Sequence, residues 1–124
     1  MEIIYVIGRI LFAAIFISSG YNHITKLKAM GGYAKSMGVP AAEPMTVITG
    51  IMILVGGISV IFDFEIFYGA LLIFLFLVPT AFMMHAFWKI QDPMMKATQQ
   101  AMFMKNMSMA GAALMIMYFT YGAQ

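Results

Sequence analysis

The chain has 124 residues, 63% of them hydrophobic and 10% charged, with a formal net charge of +2 and no cysteine. Soluble domains carry about 45–50% apolar and about 25% charged residues, and a soluble core of this length buries too little of its chain to hide such an excess. The composition excludes an ordinary soluble domain and selects the membrane class. Absence of cysteine excludes disulfides, thiolate nucleophiles, Fe–S clusters and covalent CxxCH haem attachment. The small charge, scattered through loops, excludes nucleic acid as a partner.

A hydrocarbon core about 30 Å thick needs roughly 20 apolar residues as a helix. Four segments meet that length: residues 3–21, 44–62, 65–88 and 101–121. They are too long and too continuously apolar for the alternating strands of a barrel. The first follows Glu2 with no basic residue before the apolar run and no A-x-A-like cleavage site, so it reads as a retained helix and not a secretory signal. Arg9 is its one interruption.

The linker from His23 to Pro40 has Ile24, Leu27, Met30, Tyr33 and Met37 at helical spacing, with Lys26, Lys28 and Lys35 mostly between them. This pattern predicts a short amphipathic helix in the headgroup region, stopped at Gly38 ahead of Pro40. The second span contains Gly50, Gly56, Gly57 and Ser59, and Asp63, Phe64 and Glu65 are a tight turn into the third. Pro79 lies inside the third span and is expected to kink it, with Thr80 placed to relieve the freed backbone. Asp92-Pro93 reads as N-cap and first residue of the last helix. Small residues allow close helix approach, so Gly50, Gly56, Gly57 and Ser59 of span two and Ser108, Gly111 and Ala112 of span four are expected to face inward. The 15 methionines are spread over all the apolar stretches and suit adaptable packing surfaces.

The predicted architecture is an all-α integral membrane four-helix bundle, one domain over residues 1–124, with a short amphipathic interfacial helix between spans 1 and 2. Orientation follows the Lys/Arg bias of short loops. Lys26, Lys28, Lys35, Lys89 and Lys96 fall in linkers one–two and three–four, against Glu2, Asp63 and Glu65 on the other side. The two linkers are expected in the cytoplasm, with the short hairpin and both termini outside.

Ionisable groups inside a span cost roughly 2.5–3.5 kcal/mol on insertion scales and therefore point to function. Arg9 is read either as an anion ligand or as a charge partner snorkelling to Glu2, Asp63 or Glu65. At about 100° and 1.5 Å per residue, Arg9 and His23 share nearly one face of the first helix, roughly 21 Å apart. His23, with Asn22 beside it, then lies at the depth of His85, Trp88, Lys105 and Asn106 on the third and fourth spans. Such a cluster suits a quinone ring or another polar-headed lipophile, since imidazole exchanges hydrogen bonds and protons and lysine steadies an anionic head. The alternative is a set of interfacial residues tying the bundle together, with Trp88 and Tyr21 in an aromatic belt. Two histidines with no cysteine or clustered carboxylates make a poor zinc or di-iron site.

The stretches RILFAAIFISSGYNHITKLKAMGGYAKSMGVP, PTAFMMHAFWKIQDP and FMKNMSMAGAALM together resemble the DoxX family of bacterial membrane proteins. The resemblance runs over nearly the whole chain through Arg9, the G-x-x-H of Gly20 to His23, MGVP, HAFW and FMKN. It implies a four-span protein of the bacterial inner membrane, associated with quinone-linked oxidoreduction, and the site pattern Arg9, His23, His85, Lys105 and Asn106. The expected function is a redox-associated subunit that binds quinone near the cytoplasmic surface and acts with a membrane-protein partner or as a homo-oligomer. Two other readings stand beside it: a binding or transport protein for a small lipophilic or anionic molecule, and a structural subunit or assembly factor.

Overall fold

A computed structural model describes residues 2–122; Met1 and Gln124, the termini of the expected topology, lie outside them. The described residues are helical and contain no strand: α1 (Glu2–Thr25), α2 (Leu27–Ser36), α3 (Ala42–Ile61), α4 (Ile66–Met84) and α5 (Pro93–Thr120), with a 3-10 turn at Phe87–Lys89.

Local chemistry sets the ends of these helices. Gly38 stands at φ +88° just past α2, where its N–H donates to the Lys35 carbonyl and that of Val39 to the Ala34 carbonyl. This paired closure needs a left-handed residue, which glycine supplies without strain. Pro44 falls in the first turn of α3, where its missing N–H costs nothing. Between α3 and α4, Asp63 and Glu65 both take positive φ, and Ser59 Oγ donates to the carbonyls of Phe64 (2.5 Å) and Glu65 (3.1 Å). The Asp92 carboxylate caps α5, accepting from the Met95 N–H at 2.9 Å, with Pro93 as the first helical residue.

In packing order, α1 lies on α3, α3 on α4 and α4 on α5, while α2 covers part of α3 and touches α1. The two ends of that row, α1 and α5, share no extended interface. Ala13, Phe16, Ile53, Ile73, Leu77 and Ala113 form the centre of the core. Glycines bring α1 and α3 together: a Cβ on Gly20 would lie 2.8 Å from the Gly50 carbonyl oxygen, and one on Gly50 would lie 2.6 Å from His23 Cβ. The opposite surfaces stay bare of protein. Leu11 is 70% exposed and Tyr118 78%, apolar area that a bilayer covers.

Three segments are long and apolar enough to cross a membrane: Glu2–Thr25, Ala42–Ile61 and Ile66–Lys89. The fourth expected span is not among them. α5 has 28 residues, about 42 Å of helix, but Lys105 and Asn106 dilute its apolar character. It begins at Pro93, where Asp92-Pro93 places its start, ahead of the apolar stretch from residue 101.

Two expectations need correcting, and the third span has a break: within Ile66–Lys89 the α-helix ends at Met84 and the chain passes into the 3-10 turn. The inward face of α5 is Asn106, Ala110 and Ala113, while Ser108 is exposed and a Cβ on Gly111 would meet nothing within 4 Å. Small residues permit approach without dictating which helix face receives it. Among the described residues Thr80 makes no side-chain hydrogen bond to the backbone around Pro79; both line the cavity described next.

Candidate ligand cavity

His23 lies in the last turn of α1 and is buried, 8% exposed as a residue. Nδ1 lies 3.0 Å from the Thr46 carbonyl oxygen and 3.2 Å from Thr49 Oγ1, both on α3. The ring edge meets Phe76 of α4 at 5.9 Å between centroids. Close approach of Gly20 and Gly50 is what brings the imidazole within reach of the first turns of α3.

His85 follows the end of α4, and its Nδ1 lies 2.7 Å from Gln99 Oε1 on α5. Early termination of α4 thus frees His85 from the helix and directs it to a neighbour. About two turns beyond Gln99, Asn106 is 5% exposed. No hydrogen bond reaches its side-chain amide among the described residues. Lys105, beside it, is exposed, with Nζ 3.5 Å from Met102 Sδ.

These four side chains line one cavity of about 610 Å³. Its walls come from all five helices: Phe16 and Ser19 of α1, Tyr33 of α2, Met52 of α3, Phe76 of α4 and Met109 of α5 are among the lining residues. Most of the lining is aliphatic, thioether or aromatic, and the polar groups are few. An apolar cleft of about 300–1,000 Å³ with a few converging polar groups is the usual form of a small-molecule site.

The sequence-derived candidates divide. His23, His85, Lys105 and Asn106 come together at the cavity, whereas Asn22 and Trp88 do not line it. Trp88 instead stacks in an aromatic cluster, 5.6 Å from Phe103, 5.9 Å from Phe82 and 5.2 Å from Phe87. Arg9 lies elsewhere, at a smaller cavity of about 320 Å³. Its Nη1 pairs with Asp63 Oδ2 at 3.0 Å, and the guanidinium carbon lies 4.8 Å from the centre of the Tyr5 ring.

Sequence reasoning missed Thr46, Thr49 and Gln99. A signal for the first two exists: a threonine pair at i, i+3 beside Gly50 in an otherwise apolar run. Gln99 had none, since its role depends on where α4 stops. Among the described residues no three of His, Cys, Asp or Glu group as a metal site would need.

The fold and cavity define a helical membrane protein with a ligand-sized, half-open cleft between its helices. The chain belongs to the DoxX family, whose model matches residues 4–86. That match takes in His23 and His85 and stops before Lys105 and Asn106. A curated relative, the inner membrane protein YqjF of Escherichia coli strain K12, is 30% identical over 110 residues, covering 89% of this chain and 78% of that protein. No solved structure matches.

Proposed function

We propose that this DoxX protein holds a lipophilic ring compound of the quinone class in the cavity, and serves as the quinone-binding subunit of a redox assembly. The observation that carries this reading is Asn106. Asn106 is 5% exposed as a residue, and its amide reaches the apolar cavity with no hydrogen-bond partner among the described residues, an arrangement that a polar ligand group would satisfy. His23 and His85 also tie helices together, but a purely structural cluster does not account for the unpartnered amide. Because the chain offers no thiol, oxidation of a sulfur compound is assigned to a partner protein.

The same reading places the protein in the bacterial inner membrane, as the name of the YqjF relative says of that protein. It makes α5 the fourth span and α2 an amphipathic helix at the cytoplasmic surface. The lysine-rich linkers then lie inside and both chain ends outside. Purified protein is expected to retain a quinone or to take one up in titration. Protein that does neither contradicts the reading. A reporter fused after Gln124 that reads as cytoplasmic contradicts the topology.

A further inference from the structure

We infer that the cavity selects the reduced, hydroxyl-bearing form of its ring ligand, a hydroquinone, over the corresponding quinone. This rests on the reading of the cavity as a quinone-class site and adds which oxidation state it favours.

The argument starts from which atoms around the cavity can accept. A carbonyl oxygen only accepts, so the 3.0 Å contact between His23 Nδ1 and the Thr46 carbonyl requires the hydrogen on Nδ1. Thr49 agrees with this. Its hydroxyl donates to the Met45 carbonyl at 2.7 Å and so presents a lone pair to His23 Nδ1. At His85, Nδ1 faces the amide oxygen of Gln99 at 2.7 Å, which again accepts. A neutral imidazole carries one N–H. Both rings therefore hold their hydrogen on Nδ1 and leave Nε2 as a bare acceptor. Neither Nε2 has a hydrogen-bond partner among the described residues, and both rings line the cavity.

Asn106 adds one acceptor and an amino group, and Lys105 adds donors. A hydroquinone hydroxyl both donates and accepts, so it satisfies a bare Nε2 and still receives from Asn106 or Lys105. A quinone carbonyl only accepts. It can use the donors but leaves the imidazole acceptors desolvated and unmatched, the arrangement that sites discriminate against most strongly. Tighter binding of the reduced form raises the midpoint potential of the bound couple, by about 30 mV for each factor of ten in affinity for a two-electron couple.

The test is anaerobic calorimetry on the full chain in lipid nanodiscs with three ligands: a decyl-tailed benzoquinone, its hydroquinone, and the hydroquinone dimethyl ether, which keeps the ring and tail but has no hydroxyl hydrogen. The hydroquinone is expected to bind at least tenfold more tightly than either of the others, and a His85→Phe substitution to narrow that ratio. The wild-type comparison needs no variant. Quinone or dimethyl ether binding as tightly as the hydroquinone overturns the inference and leaves the cavity reading in place. No binding by any of the three removes the cavity reading and this inference together.

Discussion

The imidazole of His23, at the end of α1, hydrogen-bonds through Nδ1 to the Thr46 carbonyl in the first turns of α3, 3.0 Å away. One side chain thus joins two helices and fixes its own tautomer at the cavity wall. Side-chain hydrogen bonds between membrane helices contribute about 0.6 kcal/mol on average and up to about 1.7. His23→Phe is expected to lower unfolding stability by about 1 kcal/mol, read by denaturant titration in detergent micelles. Unchanged stability would show that the tie contributes nothing.

Asn106 predicts the opposite balance of stability and binding. Its amide has no hydrogen-bond partner among the described residues, so Asn106→Leu exchanges an unmatched polar group for an apolar one of similar size. Such exchanges are neutral or stabilising. Melting should stay level or rise, while affinity for the ring ligand falls at least tenfold. A variant that melts lower and binds normally would make Asn106 a structural residue.

Two glycines provide a matched contrast. A Cβ on Gly50 would lie 2.6 Å from His23 Cβ, whereas one on Gly111 would meet nothing within 4 Å. Gly50→Ala is expected to push α1 from α3 and cost about 1–3 kcal/mol by overpacking. Gly111→Ala should stabilise by up to about 1 kcal/mol through helix propensity alone. Thermal melts of the two variants give the sign directly, and equal effects would contradict the packing described for α1 and α3.

At the other end of α1, the Arg9 side chain is 13% exposed and its partner Asp63 is 55% exposed. Removing Asp63 leaves the more buried charge with the Tyr5 ring beside it and no ion-pair partner among the described residues. A double-mutant cycle with Arg9→Met and Asp63→Asn should give a coupling of about 1 kcal/mol, since the pair is half in solvent, shrinking as salt rises. Coupling that is absent at low salt would mean the pair is a passive contact.

Much of this was legible from residue order, for physical reasons. Long apolar runs specify helices, Asp92-Pro93 specifies a helix start and Gly38 a stop, because each depends on neighbours in sequence. Placing His23, His85, Lys105 and Asn106 at one depth needed only the rise of a helix. What stayed hidden depends on helix rotation and offset. The α5 face was misread because Ser108 is exposed and Gly111 has open space beside it, while the buried residues are Asn106, Ala110 and Ala113. Trp88 lies three residues from His85 yet misses the cavity, because α4 stops at Met84 and i, i+3 reasoning fails where the helix has ended. Gln99 became a partner of His85 for that same reason.

Photolabelling with an azido-benzoquinone, followed by peptide mapping with and without excess unlabelled ligand, tests the central claim most directly. Label is expected on cavity residues such as Tyr33, Met52 and Met109, and excess ligand should suppress it. Label confined to lipid-facing positions such as Leu11, Met115 and Tyr118, and insensitive to competitor, would contradict a ligand site in this cavity.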